Sequence, residues 1–277
     1  MRVGLVQCNA IPGDASGNLD RIAGFVARAA DAGCNVVLFP ELADLGYDMS
    51  CIAAAGHAAW PHTQDTLALL AARHALCLVC GVCLAESTGL ANALVAWGPD
   101  GNILATYRKM HLFCTQTVDE AAVFQPGHET AMFSYAGISF GLALCYDLRF
   151  PELFRIYAYK DCEAMLVAAA WPAARIHVWQ TLVQARAIEN QYFVLGANRT
   201  GTVPFVFGGA SLYSGPDGTT QHASSKTEKL VLAHLDIQQI ALHRAAIPSL
   251  AHCRPELYKH ACMGNQTQRF DEIRKRG

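Results

Sequence analysis

The chain has 277 residues, 52% hydrophobic and 16% charged, with a formal net charge of −2. That length can bury a sizeable core, and a charge so close to neutral, with no basic run before the terminal RKRG, leaves no electrostatic footprint for nucleic acid or an anionic membrane. No apolar run approaches the roughly 18 residues a bilayer span needs, and eleven cysteines without framework spacing suit reduced thiols, so a cytoplasmic location is expected. The high apolar content further suggests that some surface is covered by another subunit.

In chain order, residues 2–8 (RVGLVQC) read as a strand rather than a signal peptide. Residues 17–32 read as a helix with Leu19, Ile22, Phe25, Val26 and Ala29 on one face, and 35–39 (NVVLF) as a second strand. A helix near 64–75 leads to strands at 77–83 and 91–97. Pro99-Asp100-Gly101-Asn102 then turns the chain into strand 103–108. A polar loop from Lys109 to His128 precedes strands near 131–135 and 138–144. Pro151 opens a helix, and strand 164–169 follows. A long helix over roughly 175–190, strands at 192–197, 205–213 and 229–235, a Gly215-Pro216-Asp217-Gly218 turn and a helix after Asp236 complete the pattern. Alternating strands and helices without a linker or repeat indicate layered α/β architecture. The expectation is one domain over 1–277, with an irregular C-terminal extension from about 247.

Three apolar strands end on chemically useful side chains. Strand 35–39 delivers Glu41 after Pro40, strand 103–108 delivers Lys109, and strand 138–144 delivers Cys145. Strand ends are where open α/β folds bind ligands. Taken singly, each has a bland explanation, as a solvated charge or a small buried thiol. Together they suit nucleophilic attack on a carbon bonded to nitrogen. A thiol mostly protonated at neutral pH needs a base, which a partly desolvated carboxylate such as Glu41 supplies. The oxyanion so formed needs donors, which Lys109 and the backbone N–H of Tyr146 supply.

The segments FPELADLGY (39–47), YRKMHLF (107–113) and GLALCYDLRFPELFR (141–155) resemble the Glu, Lys and Cys motifs of the nitrilase, or carbon-nitrogen hydrolase, superfamily, in its order and spacing. The stretch 170–201 and the glycines from Gly208 to Gly218 extend the resemblance over nearly the whole chain. It implies an αββα sandwich whose subunits pair across a helical face into a homodimer or larger homo-oligomer, with no metal or organic cofactor. It also implies a second glutamate, Glu120, that holds Lys109 and helps orient the substrate. The chain departs from the familiar pattern at Cys114-Thr115-Gln116, where relatives often carry an acidic residue, and this bears on specificity.

Rival chemistry is weaker. Cys77, Cys80 and Cys83 form CxxCxxC, but on a strand Cys80 points away from the other two, so they cannot converge on one metal. GxGxxG and Walker motifs are absent, and the one GxSxG match, Gly137-Ile138-Ser139-Phe140-Gly141, has its serine within the strand read over 138–144 and not on an elbow after a strand. His111, two residues from Lys109, is better explained as a hydrogen-bonded loop residue than as a partner of Cys145. A non-enzymatic scaffold would not need all three strand-exit residues.

Within the superfamily, CYDLRFPE, AWPAAR, ARAIENQ and IPSLAHCRPELY look most like the ω-amidase and deaminated-glutathione amidase branch. The expected substrate is thus a monoamide of a small dicarboxylic acid. Other aliphatic or aromatic amides, nitriles and carbamoyl compounds are the alternatives. Arg175, just past strand 164–169 beside Trp171, is the candidate for the substrate's far carboxylate. Arg149 is a competitor read as structural beside Asp147.

Overall fold

The computed structural model describes residues 1–223 and 227–257. The first strand, β1 (Arg2–Gln7), alternates its side chains between two apolar environments. Helix α1 (Ala15–Asp31) begins where Asp14 accepts the Gly17 N–H at 3.0 Å, and it buries the predicted stripe from Leu19 to Ala29. Strand β2 (Val36–Leu38) is fully buried.

Helix α2 (Met49–His74) runs well beyond the predicted 64–75. Asp48 caps it by accepting the Cys51 N–H at 2.9 Å, and Pro61 lies inside it. Its first half lacks apolar periodicity. It is held instead by close packing: a Cβ on Gly56 would sit 2.8 Å from both Cys83 Sγ and Leu90 Cδ1. Tertiary contact here overrides the local signal.

Strands β3 (Cys77–Glu86), β4 (Gly89–Trp97) and β5 (Ile103–Arg108) form an antiparallel meander, with the expected turn between β4 and β5. The second half contains β6 (Met132–Tyr135), β7 (Ile138–Leu144), α3 (Pro151–Tyr159), β8 (Ala164–Ala169), α4 (Ile176–Asn190) and β9 (Phe193–Asn198). It closes with β10 (Leu212–Ser214), β11 (Thr220–His222), β12 (Lys229–His234) and α5 (Gln238–Ala246). The strand expected over 205–213 is confined to its end. Gly209 and Ala210 both have positive φ, 58° and 53°, which breaks an extended run, and residues 205–211 form a loop.

The strands make two six-stranded sheets, β12-β1-β2-β3-β4-β5 and β11-β10-β9-β8-β7-β6. Their facing sides share one core, from Val3, Leu38 and Leu94 to Phe140, Leu166 and Leu195. Helices α1 and α2 cover the outer face of the first sheet, and α3 and α4 that of the second. The result is the αββα sandwich. The strand alternation places Cys77 in the inter-sheet core and Cys80 against the α1 and α2 layer. Residues 247–252 continue past α5 in a bend and turns, with the Ile247 carbonyl accepting from Gln191 Nε2 at 2.6 Å, and residues 255–257 are helical. The rest of the expected extension, RKRG included, lies outside the described residues.

Candidate active site

β2 ends at Leu38 and the chain turns sharply through residues 41–45. Gly81 of β3 permits this turn: a Cβ there would lie 2.4 Å from the Pro40 carbonyl oxygen and 2.6 Å from Glu41 Cα. The Asp44 carboxylate pins the turn by accepting the Cys83 N–H at 3.0 Å. Burial pushes the Asp44 carboxyl up to about 6, against the lowering effect of that N–H.

Glu41, Lys109 and Glu120 are all fully buried and meet at one point. Lys109 Nζ donates to Glu41 Oε1 at 2.7 Å and to Glu120 Oε1 at 2.8 Å. Burial alone would lower the lysine's pKa, but the carboxylates of Glu120 and Glu41 outweigh it and raise it. The ammonium is therefore fixed. Glu41 also receives Asn92 Nδ2 on Oε1 at 2.8 Å and the Ala170 N–H on Oε2 at 2.9 Å. Glu120, in a short 3₁₀ turn over Glu120–Ala122, receives the Tyr47 hydroxyl on Oε1 at 2.5 Å and the Phe113 N–H on Oε2 at 2.9 Å.

Cys145 follows β7 directly with φ of 42°, a left-handed conformation that costs energy for a non-glycine residue. The turn after it is held by Asp147, whose Oδ2 accepts the Leu144 N–H at 3.0 Å and the Tyr107 hydroxyl at 2.8 Å. Its Oδ1 takes the His111 N–H at 3.0 Å and the His111 ring at 2.7 Å. That ring also stacks on Phe150 at 3.6 Å, so His111 is engaged away from the thiol. Burial, then the Glu41 carboxylate, push the Cys145 thiol well above its usual range, with Lys109 opposing. The resting sulfur is a protonated thiol with the Glu41 carboxylate among its charged neighbours.

Cys145 opens on a narrow pocket with a cavity volume of ≈ 30 Å³, walled by Tyr47, Phe113, Tyr146, Trp171 and Phe205. Arg149 and Arg175 both line it. A wider cleft of ≈ 600 Å³ adjoins and shares Phe113, Arg175 and Phe205. The Arg149 guanidinium lies 5.2 Å from the centre of the Trp171 ring. Asp147 bonds elsewhere, so the structural role expected for Arg149 beside Asp147 is not what the fold provides. Neither arginine has a carboxylate partner among the described residues. The Trp171 N–H is anchored on Asn198 Oδ1 at 2.7 Å, and its ring N–H donates to the Arg175 carbonyl at 2.9 Å. Among the described residues no group of His, Cys, Asp or Glu is arranged to hold a metal ion.

All seven residues singled out from the sequence thus lie around one pocket or the buried cluster behind it. Three partners went unseen. Tyr47 and Phe205 are single aromatics in loops, which carry no periodic signal. Asn92 had one visible sign, a polar amide inside an apolar strand.

The profile of the carbon-nitrogen hydrolase family matches residues 2–245. The chain is 32% identical over 248 residues to the 2-oxoglutaramate amidase of Bacillus subtilis (strain 168), covering 89% of this chain and 95% of that one. It is 30% identical over 267 residues to the omega-amidase NIT2 of Homo sapiens, covering 93% and 96%. Among solved structures, the NitN amidase from Nesterenkonia sp. AN1 superposes with a TM-score of 0.85 at 29% identity, covering 94% of this chain and 99% of that one. In a glutamate-to-glutamine variant of that amidase (TM-score 0.85, 29% identity, 94% and 96% covered), the acetamide moiety of fluoroacetamide is covalently added at the active-site cysteine.

Proposed function

The chain belongs to the carbon-nitrogen hydrolase family and is an amidase, and on that premise we propose that it hydrolyses the ω-amide of a small dicarboxylic acid through Glu41, Lys109 and Cys145. One observation carries the mechanism: a single buried ammonium bridges two carboxylates beside a protonated thiol.

In this reading Glu41 takes the Cys145 proton as the sulfur attacks the amide carbon. The carbonyl π electrons move to oxygen, and the oxyanion is met by Lys109 and by the Tyr146 N–H. The ammonium has three donors and spends two on Glu41 and Glu120, so the third remains for this oxygen. Protonated by Glu41, the nitrogen leaves as ammonia, and an acyl thioester stays on Cys145. Glu41 then deprotonates a water that attacks the thioester, and the acid and the thiol are released. The sum is amide plus water to acid plus ammonia. Glu120 serves as the anchor of the lysine: Lys109 and the Tyr47 hydroxyl occupy its Oε1, and the Phe113 N–H holds its Oε2.

The choice of ω-amide rests on Arg149 and Arg175. Two guanidiniums without carboxylate partners among the described residues, at the rim of a small aromatic pocket, suit a substrate with an anionic far end. The relatives named for 2-oxoglutaramate and ω-amides support the same choice. An ammonia-release screen over succinamate, 2-oxoglutaramate, deaminated glutathione, neutral amides and nitriles tests it. The expected order places the two dicarboxylate monoamides first, and a preference for butyramide over succinamate would refute it.

The same proposal includes one domain over 1–277 with its extension from about 247, a homodimer or larger assembly, and a cytoplasmic location. The inter-sheet core common to both halves supports the first. Exposed Ile156, Tyr159 and Ile188 on α3 and α4 support the second. The third is supported by ten described cysteines that are all free thiols, and no helix among the described residues is long and apolar enough to cross a membrane.

A further inference from the structure

Asn92 is a fully buried amide in β4, flanked by Ala91, Ala93, Leu94 and Val95. Such a group is unfavourable in an apolar strand unless it is bonded. Only half of it is: Nδ2 donates to Glu41 Oε1 at 2.8 Å, whereas Oδ1 has no hydrogen-bond partner among the described residues. The opposite amide orientation would set oxygen against carboxylate oxygen, so the donor role is fixed by its neighbour. The backbone carbonyl of Asn92 accepts the Lys109 N–H at 2.8 Å. One residue therefore holds the glutamate by its side chain and the lysine by its backbone.

The consequence lies in how the two oxygens of Glu41 differ. Oε1 receives both Lys109 Nζ and Asn92 Nδ2, which fills its lone pairs, while Oε2 receives only the Ala170 N–H. We infer that Asn92 is a positioning residue that, together with Lys109, saturates Oε1 and so reserves Oε2 as the atom that takes the Cys145 proton and returns it to the leaving nitrogen. This rests on the reading of Glu41 as the base. The other ionisable groups around Glu41 are Lys109 at the end of β5, Glu120 in its 3₁₀ turn, Cys145 after β7, Tyr47 before α2 and Arg199 after β9. None of them is altered when Asn92 is changed.

The test is kcat/KM against pH on succinamate and butyramide for wild type, Asn92→Leu and Asn92→Ala, with thermal unfolding of each. Loss of a donor that favours the ionised carboxylate should move the acid limb up by about half to one pH unit. Misplacing the base should lower kcat by about 10- to 100-fold. Asn92→Leu should nevertheless unfold no earlier than wild type, because the unpaired carbonyl is gone with the amide. A purely structural residue would instead lower the melting temperature and the rate together and leave the limb in place. An acid limb that coincides with wild type in either variant overturns the inference. Glu41→Gln separates this from the premise. If that variant keeps its activity, both readings fall, whereas an inactive Glu41→Gln with an unmoved limb at Asn92 removes only the role of Asn92.

Discussion

Tyr47 donates its hydroxyl to Glu120 on Oε1, the oxygen that also contacts Lys109. Burial and the neighbouring Glu120 and Glu41 carboxylates hold the phenol well above its usual pKa, so it remains a donor. Glu120→Gln should fold normally and lose kcat by on the order of 10²-fold, since the ammonium would lose a charged anchor. Tyr47→Phe should lose about tenfold, a smaller effect because the charge on Glu120 persists. Steady-state kinetics on purified variants checks both, and unchanged kinetics in Glu120→Gln would reduce that residue to a structural loop carboxylate.

Arg149 and Arg175 make separable predictions. If a guanidinium binds the far carboxylate, Arg→Ala should depress kcat/KM for succinamate by about tenfold or more, as expected for a charge-assisted bond, and leave butyramide nearly untouched. Arg175 borders both the inner pocket and the wider cleft, whereas Arg149 borders the inner one, which makes Arg149→Ala an indispensable parallel measurement. Equal losses on both substrates in both variants would remove the carboxylate role and the ω-amide preference with it.

Asp44 ties the turn that carries Glu41, and its raised pKa makes stability depend on pH. A carboxyl at about 6 in the folded protein and about 3.9 when unfolded holds its proton more tightly when folded. Between those values the folded state binds more protons, so stability falls as pH rises from about 4 to 6. The penalty is absent below that window and complete above it, on the order of 3 kcal/mol. Denaturant titrations at several pH values should show this slope in wild type and lose it in Asp44→Asn, whatever that variant's absolute stability. Identical slopes would show that Asp44 titrates normally.

The layered α/β class and most of the strands were legible in the sequence because buried strands are short apolar runs bounded by turns, as with 138–144 and 164–169. Glu41, Lys109 and Cys145 were legible for the same reason, each standing as a polar residue where such a run stops. The first half of α2 was not, since its contact with β3 and β4 depends on the close fit at Gly56 rather than on periodicity. The loop 205–211 was hidden because Phe205, Val206 and Phe207 look like a strand until Gly209 and Ala210 turn left-handed. Asn92, Tyr47 and the anchoring role of Asp147 depend on partners 40 to 73 residues away, which spacing along the chain does not encode.

In the proposed reaction Cys145 carries the acyl group. Mass spectrometry of peptides from enzyme quenched rapidly during turnover of succinamate measures this directly. An acyl adduct on the peptide bearing Cys145, and no ammonia release by Cys145→Ala, is the predicted result. Ammonia release by Cys145→Ala near the wild-type rate, with no adduct on any cysteine peptide of the wild type, would contradict it.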